Sequence, residues 1–132
     1  MNLSNAFLRV GVLFGLVGIS LGYYMGASQE FTASPVHAHV NLLGWVAMFL
    51  YGLFYRAQPS AAVGLVPKIH FWTNVAGVLV MTTALAAYLL HVQGLESYGS
   101  IGLIVGPTLV LLSMLMFVWI VFRHTGKDAA TA

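Results

Sequence analysis

Cysteine is absent from the 132 residues. Disulfides, thiolate zinc sites and cysteine-ligated iron–sulfur clusters are therefore excluded. Any metal must be held by histidine, methionine, carboxylate or backbone oxygen. Charge is scarce as well: only 6% of residues are charged, against about 25% in an average soluble domain. Eight charged side chains, five basic and three acidic, cannot clothe a water-soluble protein of this size. A soluble globular enzyme, a disordered chain and a free nucleic-acid binder are excluded on the same ground. What the chain has instead is apolar surface, at 60% of residues. The length predicts a single domain over residues 1–132.

Four long apolar runs divide it: Phe7 to Ala27, Pro35 to Arg56, Ile69 to Val92 and Ser100 to Phe122. Each has about the ~20 residues a helix needs to cross ~30 Å of hydrocarbon. A backbone in lipid must bond within its own segment, so all four read as helices. The connections Ser28–Ser34, Ala57–Lys68 and Gln93–Gly99 are short and polar. Short links make neighbours antiparallel, which predicts an all-α, up-down four-helix transmembrane bundle. The first run has one basic residue and small residues near Gly26–Ser28, as a signal peptide does. We read it as a retained span.

Basic residues orient the bundle. Arg9 stands at the start of the first span, Arg56 and Lys68 bracket the second connection, and Arg123 and Lys127 follow the fourth span. The other two connections carry Glu30 and Glu96 and no basic residue. All five positive charges fall on one side, which the positive-inside rule assigns to the cytoplasm along with both termini. The expected location is a bacterial-type inner (cytoplasmic) membrane, crossed several times.

Gly11, Gly15, Gly18, Gly22 and Gly26 follow helical spacing down one face of the first span, and Gly102 and Gly106 repeat the step in the fourth. Such small residues let membrane helices approach closely. Pro107 is expected to kink the fourth helix. Trp72, Trp119, Tyr23, Tyr24 and Tyr98 lie near span ends and read as interfacial anchors. Met48 and Met81 are the methionines best placed to line a pocket; the others read as packing.

Five histidines in so uncharged a membrane protein mark candidate sites. His37 and His39 fall in the outer third of the second span, and His91 near the outer end of the third. His70 and His124 fall at the inner boundary, beside Lys68 and Arg123, and read as wetted interface residues. His70 and His91 are twenty-one residues apart, or ~32 Å at the helical rise, and cannot share an ion. One outer metal site has His37, His39 and His91 within its reach. The two-residue spacing of His37 and His39 turns their side chains ~200° apart on a helix. They cannot chelate one ion as an i, i+4 pair does. If both are ligands, they serve two cofactors, or two copies of one cofactor in a ring. Asn41 and Gly44 follow on the same span as candidate cofactor-binding residues, one for hydrogen bonding and one for room. His37, Asn41 and Gly44 are echoed at the same spacing by His70, Asn74 and Gly77.

The stretch Pro35-Val-His-Ala-His-Val-Asn-Leu-Leu-Gly-Trp-Val-Ala-Met-Phe-Leu-Tyr-Gly-Leu-Phe-Tyr-Arg56 resembles the haem–copper oxidase subunit I superfamily. It is most similar to short four-helix proteins of the cytochrome oxidase subunit I-like kind, which Pro67-Lys-Ile-His-Phe-Trp72 also resembles. In that superfamily twelve helices form three pseudo-symmetric groups of four, and a His-x-His pair serves two haems. The resemblance implies haem b as cofactor, with copper as a further possibility and His91 near the copper-ligand level. It also implies a b-type cytochrome in electron transfer. No His-His pair and no counterpart of the oxidase tyrosine are present, so a complete oxygen reductase is not expected and no catalytic residue is assigned.

Four helices are one third of twelve. A homotrimer would rebuild the ring through a closing heterologous interface, with one haem at each junction between His37 of one protomer and His39 of its neighbour. The expected partners are the lipid bilayer, further copies of the chain, and a redox partner or quinone; no nucleic acid is expected. Two other readings remain open at this point. One is a haem or copper sensor or assembly factor using His37, His39 and His91. The other is a cofactor-free small transporter or proton path.

Overall fold

Peptide groups in hydrocarbon have no water to bond, so a spanning chain must satisfy them along its own axis. The computed structural model describes residues 2–125, and every regular element among them is helical. Helix α1 spans Leu3–Ser28 and is capped by Asn2, whose side chain accepts the Asn5 N–H at 3.1 Å. The second span is composite: α2 over Ser34–His39, a π-helical stretch over Val40–Ala47, and α3 over Met48–Ala57. A short 3₁₀ turn, Pro59–Ala62, leads to α4 over Val66–Leu89 and α5 over Glu96–Thr125. Four helices are thus long and apolar enough to cross a membrane. They match the four sequence-predicted spans to within about one turn at each end. Helix α5 runs unbroken through Pro107. Lys127, counted in the charge asymmetry, lies outside the described residues.

Two hairpins make the bundle: α1 lies along the second span, and α4 along α5. Glycines make both contacts close. On α1, Gly11 meets Met48 and Phe49, Gly15 meets Trp45, Gly18 meets Asn41 and Gly22 meets His37. A Cβ added to Gly15 would stand 2.8 Å from the Trp45 ring. Gly26, the last of the stripe, meets nothing within 4 Å. In the second hairpin Gly102 faces Ala84, Gly106 faces the Met81 backbone, and Gly77 faces Val110 in return. The stripes therefore serve packing, which in lipid relies on close backbone approach rather than on the hydrophobic effect.

A buried cluster of Leu3, Phe7, Tyr51, Tyr55, Phe71 and Ile120 joins the hairpins at one end, and α2 also lies against α4. Contacts across the elements fix which end this is: Arg56 donates to Asn5 Oδ1 at 3.3 Å, and Ser60 Oγ lies 3.5 Å from His124 Nδ1. Polarity is inverted relative to a water-soluble protein. Leu16, Ile104 and Phe122 are exposed, whereas His70, Asn74 and Ser113 are buried. Trp72, Trp119, Tyr23, Tyr24 and Tyr98 are exposed near helix ends, in keeping with their reading as anchors. Met48 and Met81 are both buried and pack against the glycine seams.

His91 has a backbone role. It follows α4 in the left-handed region, at φ 48°. Its N–H bonds the Tyr88 carbonyl, and the Val92 N–H bonds the Ala87 carbonyl at 3.1 Å. This is a Schellman stop, whose left-handed position glycine fills most comfortably. A side chain there costs about 1–2 kcal/mol. His91→Gly is therefore expected to raise thermal stability in detergent, by up to about 1 kcal/mol. A drop in the unfolding temperature would show that the imidazole itself makes a stabilising contact.

Candidate functional site

The paired imidazoles stand where the second span begins. Pro35 occupies the first turn of α2, where a missing N–H costs nothing and the fixed φ suits the helix. His37 and His39 follow before the π-helical stretch starts at Val40, so both sit on regular α-helix. Their opposed directions are as the spacing predicts. His37 turns to α1, where its ring lies over Gly22; a Cβ there would stand 2.6 Å from it. His39 turns the other way and lines a shallow cavity of about 190 Å³ with Ala38, Leu42 and Leu43.

Both rings are oriented through the same nitrogen. His37 Nδ1 lies 2.8 Å from the Gly18 carbonyl oxygen, and His39 Nδ1 lies 2.7 Å from that of Pro35. His37 Nδ1 also lies 3.3 Å from Asn41 Nδ2, a donor that favours the opposite tautomer of that ring. A carbonyl oxygen brings no hydrogen, so where Nδ1 bonds the carbonyl it is the donor, and in the neutral imidazole Nε2 then carries a bare lone pair. This is the tautomer a metal-ligating histidine adopts, with its second nitrogen tied to a carbonyl. Asn41 Nδ2 donates to the His37 carbonyl at 2.9 Å and lies against Gly18, so it braces the α1 contact beside the ring.

The π-helical stretch that follows has wider i→i+5 turns. Such turns occur mostly as short insertions in helices, often at functional sites. It shifts the register of everything after His39. Gly44 faces Phe14, and a Cβ there would lie 2.7 Å from that ring. The room left by the missing side chain, expected from the sequence to clear a porphyrin, is filled by Phe14 within the chain.

His91 lines a separate cavity of about 290 Å³ with Ala87, Tyr88, Val92, Glu96 and Ser100. Among the described residues no group of three or more His, Cys, Asp or Glu side chains gathers where a metal ion could sit. One protomer therefore brings neither His91 to the His37/His39 pair nor the pair to a common point.

His70 corrects the sequence reading outright. Expected at the wetted boundary, it is 0% exposed. Helix α4 begins at Val66, a full turn before it, and Phe7, Tyr51, Tyr55 and Phe117 close around its ring. Asn74, one turn on, is buried and donates to Ser113 Oγ at 3.0 Å. The sequence reading also passed over Tyr55 and Ser113. The His-Asn-Gly echo was the signal available: in both copies the glycine abuts the partner helix of its hairpin and the asparagine lies at that seam. His124, by contrast, is half-buried beside Ser60 near the end of α5, as expected of a boundary residue.

Fold and site together define an all-helical, multi-pass membrane protein with two oppositely directed imidazoles at one end of its second span. No family model, no curated protein and no solved structure matches the chain.

Proposed function

We propose that the protein is a haem-binding b-type cytochrome of the cytoplasmic membrane, related to one four-helix third of haem–copper oxidase subunit I. The observation that carries this reading is the contact of Nδ1 with a backbone carbonyl in both His37 and His39. It is the arrangement in which a metal-ligating imidazole presents Nε2. The donor set suits haem iron, which takes two axial imidazoles and needs no cysteine. The apolar residues Ala38, Leu42 and Leu43 beside His39 suit a porphyrin face.

Opposed ligands on one rod call for two irons per helix or for sharing between copies. We favour sharing in a homotrimer, His37 of each protomer and His39 of the next holding one haem. A haem held by these two imidazoles would supply one-electron transfer rather than oxygen binding. The chain's own part is to fix both rings, exclude water with its apolar surface and keep Asn41 against the His37 carbonyl. The positive charges at one end support a cytoplasmic side for both termini and the opposite face for the histidine pair. The electron partner is a membrane redox protein or a quinone.

An optical spectrum of the purified, haem-supplied protein tests the reading. The expected result is a sharp low-spin spectrum on reduction, unchanged by carbon monoxide, from a particle of three chains. A colourless preparation that cannot be reconstituted would refute haem binding. A fully loaded monomer would refute shared ligation.

A further inference from the structure

Two side chains deep in the bundle make fewer hydrogen bonds than their chemistry offers. His70 is 0% and Asn74 2% exposed. The Tyr55 hydroxyl lies 2.9 Å from His70 Nδ1, and Asn74 Nδ2 donates to Ser113 Oγ. No group among the described residues bonds His70 Nε2 or Asn74 Oδ1. In a membrane interior an unpaired polar atom is costly, and buried polar groups that lack a protein partner are usually served by water. The two atoms belong to residues four apart on α4, which share a helix face with Cβ atoms about 5–6 Å apart. Polar atoms of residues so placed are within reach of a single bridging water, which needs two or more polar partners. Such a water suits either tautomer of His70, because water both donates and accepts.

We propose that His70 and Asn74 hold one internal water molecule, and that this water is the inner end of a proton path leading from the cavity beside Tyr55. That cavity, of about 380 Å³, is lined by Asn2, Ser4, Asn5, Tyr55 and Arg56 at the arginine-bearing end. Tyr55 thus belongs both to the cavity wall and to the His70 hydrogen bond. Proton balance is simple. The Tyr55 oxygen accepts a proton from hydronium in the cavity, which is left as water, as its own proton passes to His70 Nδ1 and the His70 Nε2 proton passes to the internal water; the same steps run in reverse return one proton to the cavity. Nothing is oxidised, and the net result is proton exchange with no lasting charge in the interior. Asn74 and Ser113 anchor the water and end the path.

The surroundings allow the ring no lasting charge, since burial among apolar groups penalises a cation. Its centroid lies 5.1 Å from that of Phe7 on α1, 4.8 and 5.9 Å from those of Tyr51 and Tyr55 on α3, and 5.4 Å from that of Phe117 on α5. Of these neighbours only Tyr51 and Tyr55 can titrate, and the Tyr51 hydroxyl donates to Met114 Sδ at 3.5 Å. The proposal is independent of haem, since His70 takes no part in the His37/His39 site.

The test is solid-state NMR of protein labelled with ¹⁵N-histidine and reconstituted in phosphatidylcholine bilayers. A cross-peak between water and His70 Nε2 is expected. Its proton exchange should slow severalfold in Tyr55→Phe, which keeps the ring and removes the relay hydroxyl. Asn74→Leu should lose the cross-peak. Absence of the cross-peak in the unaltered protein would overturn the water site. Equal exchange rates with and without the Tyr55 hydroxyl would overturn the path. A cross-peak persisting in Asn74→Leu would remove Asn74 as a holder. If Asn74→Leu does not fold, the unaltered protein and Tyr55→Phe decide the matter.

Discussion

Replacing His39 with alanine is expected to abolish the low-spin haem spectrum while leaving the four-helix fold intact. His39 is half-buried beside Ala38, Leu42 and Leu43, and its ring bonds the Pro35 carbonyl a turn back on the same helix. Little packing is lost with it. On the proposed reading a haem ligand is lost completely, however. Altering a partner that merely orients a ligand typically costs 10–100-fold in metal affinity; losing the ligand itself should exceed that. His37→Ala should do the same to the spectrum at an added cost in stability, because the His37 ring fills the seam over Gly22 and bonds the Gly18 carbonyl. The ratio of haem to protein separates two arrangements. If each haem is shared between His37 and a neighbour's His39, either single variant converts every site. If each histidine held its own haem, either variant would spare half. Low-spin bands at full strength in His39→Ala would remove it as a ligand.

The second large effect is on the packing of the other hairpin. Gly106→Ala is expected to destabilise the protein, whereas Gly26→Ala is not. A Cβ on Gly106 would fall on the backbone N and Cα of Met81, and a backbone cannot turn aside as a flexible side chain can. Forcing a methyl group into such a seam typically costs about 1–3 kcal/mol, as α4 and α5 move apart. Part of this is offset by the greater helix propensity of alanine, worth about 1 kcal/mol. At Gly26 nothing lies within 4 Å, so only the propensity gain applies. Thermal unfolding in one detergent should therefore move in opposite directions for the two variants. A neutral Gly106→Ala would mean that α4 and α5 do not pack as closely as described.

The same contrast shows why the glycines were only partly legible. Their spacing marks a helix face, but it cannot say where along that face the partner stops. Gly11 to Gly22 lie under the second span and Gly26 lies beyond it, which depends on where the two helices cross. The histidines divide in a similar way. The opposition of His37 and His39 is local helical geometry and needs only their spacing. The burial of His70 needs Phe7 from α1 and Phe117 from α5, residues far away in the chain. Its neighbours in sequence, Lys68 and Trp72, are both exposed and suggest a boundary position. The π-helical stretch left no mark in the composition of Val40–Ala47, so Phe14 opposite Gly44 was not foreseeable.

Hydropathy, charge and spacing alone define a helical membrane protein: four runs of spanning length, short links that alternate their direction, and two imidazoles on opposite sides of one rod. These are properties of consecutive residues in a solvent that forbids unpaired backbone, so order along the chain suffices. How His37 is held, which asparagine and histidine sink into the interior, and which glycines touch a neighbour were decided by the tertiary structure. His37, Asn74 and the glycines depend on atoms that meet when each hairpin closes, and His70 on the two hairpins closing on one another, whereas His39 is held by its own helix.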